Sequence, residues 1–172
     1  EMYVSTTGAP AALALKKEIP GIANTTRLIK DGKIVKVGEN VYSEPRVFYA
    51  DSTFFEVFSY TVLKGDKNNL LNKPTTVILT ETSARKYFGD KNPIGEIIKI
   101  DGMDFLVTTI VEDCPQESHF HYDLLLPMMN YGNANYPYWL NHDIFYVYAS
   151  LAPNANIDKV NEAIQAMVLK KV

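Results

Sequence analysis

Two Asp-Gly pairs, Asp31-Gly32 and Asp101-Gly102, each lie between runs in which apolar and polar residues alternate. A tight two-residue hairpin needs positive φ at both central residues, which Gly adopts freely and Asp tolerates. The sequence therefore predicts one hairpin joining 25–30 to 33–37 and a second joining 97–100 to 103–111. On the long last arm Met103, Phe105, Val107 and Val111 fall on one face. Further strands are expected at 1–6, 46–50, 60–64, 76–79, 122–126 and 145–151. Eleven Tyr and eight Phe, among many Val, Ile and Thr, suit a chain dominated by strands.

Helix signals are interspersed with these strands. Pro10 suits a first helical turn, Ala12, Leu15 and Ile19 follow at helical spacing, and Pro20-Gly21 stops the run. Asp51 is expected to cap a short helix reaching Phe58, with Phe54, Phe55 and Phe58 turned inward. Thr80 is the expected N-cap of a helix ended by Gly89, with Glu81 and Lys86 placed favourably for its dipole. A last helix from Asn156 sets Ile157, Val160, Ile164, Met167 and Val168 in one stripe. The expected class is α+β, with mainly antiparallel sheets and packed helices. Residues 1–49 and 114–172 are expected to form one subdomain, with 50–113 inserted as a second, β-rich one.

A chain of 172 residues with 47% hydrophobic and 22% charged residues can bury a core without disulfides or metals. Its net charge is −3 and its Lys and Arg residues are scattered. Nucleic-acid binding, which needs a concentrated basic face, is therefore not expected. Cys114 is the single cysteine, so an intramolecular disulfide and a cysteine-based zinc site are both excluded. No apolar run approaches the roughly 18 residues that span a bilayer. The chain opens on Glu1, not Met, as a piece of a longer protein would.

Phosphate-binding, dinucleotide-binding, nucleophile-elbow and zinc-helix motifs do not occur. The chemistry-bearing segment is 117–123, Glu-Ser-His-Phe-His-Tyr-Asp. His119 and His121 are two apart, so on a strand both would face one side, with Glu117 or Asp123 as a third metal ligand. The competing reading is a loop-to-strand junction in which one His caps backbone and the other is solvated. Cys114 precedes Pro115 and has no helix N-terminus to activate it, so a packing role is expected. Asn141-His142-Asp143 reads as a polar turn. In the loop 128–141, Tyr131, Tyr136, Tyr138 and Trp139 would form a partner-contact surface if exposed, and core if tucked under the sheet.

An ordered series of segments carries a resemblance. Ala50-Asp51-Ser52-Thr53-Phe54-Phe55-Glu56-Val57-Phe58 is followed by Gly65-Asp66 and then by Val77-Ile78-Leu79-Thr80-Glu81-Thr82-Ser83-Ala84-Arg85-Lys86-Tyr87-Phe88-Gly89-Asp90. Asn92-Pro93-Ile94-Gly95, Asp113-Cys114-Pro115, Ser118-His119-Phe120 and Asp123 complete it, and the Ile-Pro-Gly and Thr-Arg-Leu pieces near the start agree. In order and spacing this resembles the MacB-like periplasmic core domain of FtsX/MacB-type ABC-transporter permeases. The resemblance implies a porter-like subdomain carrying an inserted β-rich one, on the periplasmic side of the bacterial inner membrane. It implies no catalytic residue and no cofactor in this fragment. The implied partners are a cytoplasmic ABC ATPase reached through membrane helices, a periplasmic adaptor, and a second permease copy in a homo- or heterodimer. The implied role is passing ATP-driven motion to a periplasmic substrate or partner, in efflux, lipoprotein handling or hydrolase activation. A periplasmic ligand- or peptide-binding module is the alternative.

Overall fold

The computed structural model describes residues 6–68, 70–140 and 144–171. Most of the strand expected at 1–6, and the turn at 141–143, lie outside them. In chain order the elements are α1 (Ala11–Glu18), β1 (Ile22–Lys30), β2 (Lys33–Val37), β3 (Asn40–Glu44), β4 (Val47–Ala50) and α2 (Phe54–Val57). Then come β5 (Val62–Gly65), β6 (Thr76–Thr80), α3 (Glu81–Phe88), β7 (Ile97–Ile100), β8 (Met103–Val111) and β9 (Leu124–Pro127). A 3-10 turn (Met128–Asn130), β10 (Tyr146–Leu151) and α4 (Ile157–Lys171) complete the chain.

The described strands form one sheet in the order β10-β1-β4-β9-β6-β8-β7-β2-β3, with β5 also paired to β8. Pairing is antiparallel except between β4 and β9 and between β6 and β8. The class is thus α+β with mainly antiparallel pairing, as expected. The segment 50–113 is hydrogen-bonded to its flanks through β6 to β9, β2 to β7, and the contacts of Asp51 and Thr53 with β1.

One Asp-Gly pair makes its hairpin and the other does not. At Asp101-Gly102 both residues have positive φ, 47° and 84°, and Ile100 faces Met103 across the turn. Asp31 and Gly32 both keep negative φ, and β1 and β2 are not partners. β1 is instead taken by β10 on one side and β4 on the other, and β2 crosses to β3 and β7. Charge holds that crossing. Lys33 Nζ lies 2.7 Å from Asp31 and 3.0 Å from Asp101, joining the end of β1 to the β7–β8 turn. Burial lowers the Lys33 pKa, but the hydrogen bonds to Asp31 and Asp101 outweigh it and leave the pKa above its ordinary value. The tight turn after β2 falls at Gly38-Glu39, where Gly38 has φ 58°.

Central strands are apolar on both faces, because both are covered. Val47 and Tyr49 of β4, Val77 and Leu79 of β6, and Leu124 and Leu126 of β9 belong to one core cluster, with Ala84 and Tyr87 of α3. The alternate positions Phe48, Ala50, Ile78 and Leu125 belong to the opposite cluster, with Phe54 of α2. A third cluster lies between α1 and α4 and contains Ala14, Ile19, Ile22, Val160 and Met167. Of the predicted α4 stripe, Val160 and Met167 are buried and Ile164 half-buried, while Ile157 and Val168 stay exposed.

Thr80 caps α3 as expected, its hydroxyl accepting from Ser83 N–H at 3.3 Å, and Gly89 ends the helix at φ 60°. Asp51 does not cap α2. Its carboxylate is drawn to Arg27, and the short helix is entered through Thr53, whose hydroxyl donates to Thr25 O at 2.7 Å. Glu44, at the end of β3, is almost fully buried. It accepts from Tyr87 Oη at 2.7 Å and pairs with Lys86 Nζ at 2.5 Å, fastening the sheet's far edge to α3.

Candidate functional site

Strand register assembles a groove on the α2 face of the sheet. Lys30 of β1 stands opposite Phe48 of β4, and Leu28 stands opposite Tyr146 of β10. Tyr148 lies two residues further along β10, so it shares the face of Tyr146. Arg46 enters from just before β4, and the irregular segment carrying His119, Phe120 and His121 closes the other side. The enclosed volume is about 350 Å³.

The residues within it differ in what they are committed to. His119 Nε2 and Tyr148 Oη are hydrogen-bonded at 2.6 Å. Burial raises the Tyr148 pKa, so the phenol keeps its proton. Arg46 forms a two-point contact with Asp123, Nε to Oδ2 at 2.8 Å and one terminal nitrogen to Oδ1 at 2.7 Å. Among the described residues, the side chains of Lys30 and His121 have no ion-pair or hydrogen-bond partner. The groove is therefore walled by aromatic rings and presents cationic and imidazole groups, with no acidic side chain in its lining.

His119 and His121 thus share a groove, but on irregular backbone and not on a strand. Among the described residues no three His, Cys, Asp or Glu side chains are grouped to hold a metal ion. Glu117 is exposed, and Asp123 is occupied by Arg46.

The aromatic loop divides in two. Tyr131 packs inward, its ring 5.4 Å from Tyr49 and 6.0 Å from Phe145, and Trp139 joins the α1–α4 cluster. Tyr136 and Tyr138 are exposed, with their rings 5.2 Å apart. Tyr136 lies at the rim of a second, wider cleft of about 570 Å³ between α1, Thr53 and Ala134. The floor of that cleft is the Arg27–Asp51 ion pair.

Cys114 is half-buried. Tyr122 N–H donates to its Sγ at 3.4 Å, and Tyr60 Oη lies 3.9 Å away. Burial pushes the thiol pKa up, which leaves little nucleophilic thiolate. Iodoacetamide at pH 8 is expected to alkylate Cys114 roughly tenfold or more slowly than a free thiol, with ordinary reactivity restored in urea. A native rate equal to the unfolded one would contradict the packing role.

The MacB-like periplasmic core domain profile matches residues 2–167, nearly the whole chain. The chain belongs to that family. It is the extracytoplasmic domain of a MacB-like ABC-transporter permease. A domain assigned to a permease of Porphyromonas gingivalis superimposes with a TM-score of 0.85 at 23% identity, covering 98% of this chain and 79% of the other. The periplasmic region of MacB from Actinobacillus actinomycetemcomitans gives 0.75 at 15% identity, covering 98% and 75%. The extracellular domain of the ABC-type transporter YknZ from Gram-positive bacteria gives 0.72 at 14%, covering 98% and 85%. No curated protein matches the chain at a significant level.

The pieces through which the sequence resembles MacB-like domains perform packing tasks here. Phe54 fills the α2-side core, Thr80 and Gly89 bound α3, and Phe120 packs against Phe48 and Phe58. The groove residues that sequence reading did not single out are Lys30, Arg46, Phe48, Tyr146 and Tyr148. Their period-two spacing within each strand is visible in the sequence, but which strands lie side by side is not.

Proposed function

We propose that this domain transmits the ATP-driven movement of its permease to a periplasmic substrate or partner. The observation that carries this reading is the single sheet, hydrogen-bonded from β10 to β3, with its central strands covered on both faces. Nine strands in sequence span about 40 Å at the usual inter-strand spacing. A close-packed body of that width moves as a unit. Displacement applied at the β10 edge therefore reaches β3 without being absorbed on the way.

The geometry near the ends of the chain is consistent with a drive from one side. Lys171, in the last turn of α4, pairs with Glu18 at the end of α1 at 2.8 Å. The start of α1 is only about 12 Å along the helix axis from that contact. Thr7 bridges Phe145 beside β10. Both ends of the described chain therefore attach at the same margin of the sheet. Efflux, lipoprotein handling and hydrolase activation are the alternative outputs of such a movement.

The test is made on the full-length parent. Extraction from the inner membrane with an ABC-type ATPase, and an ATP-dependent change in the distance between spin labels placed on this domain in two copies of the permease, is the expected result. Recovery without an ATPase, or a label distance indifferent to ATP, would reject transmission.

A further inference from the structure

We propose that the groove between β1, β4, β10 and the 119–121 segment binds a small organic anion with a ring-sized apolar body. Three observations converge on that chemistry. First, the walls are rings: Phe48, Phe120, Tyr146 and Tyr148 surround the space, supplying apolar area with fixed geometry. Second, the polar groups at the rim are donors. The side chains of Lys30 and His121 have no partner among the described residues, and Asp123 engages only Nε and one terminal nitrogen of Arg46. Third, two nearby acids that would otherwise neutralise this rim are already paired with cations: Asp31 with Lys33 and Asp123 with Arg46.

Size narrows the ligand further. At water's share of roughly 30 Å³, about 350 Å³ holds on the order of a dozen non-hydrogen atoms. That is an aromatic or short aliphatic acid, with its ring or chain between the aromatic walls and its carboxylate at Lys30. A cationic ligand would meet like charge at Lys30, and a neutral one would gain no charge attraction there. The proposal is independent of force transmission, because it concerns a site within one rigid body and needs no ATPase.

The test uses this chain and three naphthalene derivatives of nearly equal size: naphthoate, naphthalenemethanol and naphthylmethylamine. Binding is followed by calorimetry and by amide chemical shifts. Naphthoate is expected to saturate one site, with shifts centred on Lys30, Tyr146, Tyr148 and the 119–121 segment, and the alcohol and amine to bind at least about tenfold more weakly. Lys30→Glu, at an exposed position, is expected to weaken naphthoate at least about tenfold while the melting temperature stays unchanged. Lys30→Gln should fall between the two. The proposal is overturned if naphthoate does not saturate, if the alcohol binds as well as the acid, if the shifts map elsewhere, or if naphthoate affinity survives Lys30→Glu.

Discussion

Replacing Phe54 by Ala is expected to destabilise the domain by about 3–5 kcal/mol, as for large aromatic truncations in closed cores. The side chain is fully buried, on a helix of one turn that has little intrinsic stability. Its ring lies 5.0 Å from Phe55, 5.0 Å from Phe58, 5.6 Å from Tyr60, 5.8 Å from Tyr122 and 6.4 Å from Phe120. Those neighbours come from two separate parts of the chain, 55–60 and 120–122, so they cannot all collapse into the space the ring leaves. Loss of about 3–5 kcal/mol in a domain of this size lowers Tm by roughly 10 °C. Phe54→Leu keeps most of the volume and should cost about half as much. Thermal unfolding followed by circular dichroism decides it. A fall of less than about 2 °C for Phe54→Ala would mean that the aromatic cluster is not the keystone of the α2 face.

The same aromatic cluster shows what was and was not legible in the sequence. Phe54 could be placed indoors because Phe54, Phe55 and Phe58 recur at helical spacing next to a strand, a relation confined to five residues. Thr80 and Gly89 were legible for a similar reason, since capping is settled within one turn of helix. The β7–β8 hairpin was legible because its turn closes the pair by itself. The Asp31-Gly32 pair offers the same local chemistry and yet does not turn. There β1 has two better partners far away in sequence, and Lys33 is claimed by Asp101 some seventy residues on. Local turn preference amounts to about 1 kcal/mol, and pairing along two neighbouring strands outweighs it.

Long-range neighbours also explain the candidate site. Parity along β1, β4 and β10 places Leu28 and Lys30, Phe48, and Tyr146 and Tyr148 correctly within each strand. The groove exists only because those three strands are adjacent, in the order β10-β1-β4. His119 and His121 were noticed for their spacing, and they do face one groove. What lines up opposite them is aromatic and basic, and no acidic third ligand is brought to them. Loop 128–141 was open to two readings because aromatic content alone cannot separate contact surface from core. Both occur, with Tyr131 and Trp139 turned in and Tyr136 and Tyr138 turned out.

Arg27→Met is expected to cost about 3–5 kcal/mol, the usual penalty for stripping one partner from a largely buried ion pair. Arg27 donates to Asp51 from Nε at 2.9 Å and from a terminal nitrogen at 2.8 Å, while its own backbone N–H reaches Asp51 Oδ2 at 2.8 Å. Its other terminal nitrogen donates to Ala134 O and lies 3.5 Å from Ala9 O, and the guanidinium sits over the Phe145 ring. One side chain therefore holds the approach to α1, the strand end before α2, and the aromatic loop. Met fills similar volume, so the loss reads the charge and its hydrogen bonds and not a cavity. The Asp51 carboxylate is left with a backbone donor alone, which costs more than the ion pair itself contributes. Removing that charge as well should return part of the stability, so Arg27→Met with Asp51→Asn is expected to be less damaging than the sum of the two, by about 1–3 kcal/mol. Hydrogen exchange should report where the damage falls, with protection lost first at α1 and at 131–138 while β6, β8 and β9 stay protected. Strict additivity, or uniform loss of protection across the sheet, would show that Arg27 is one contact among many and not the joint between these three segments.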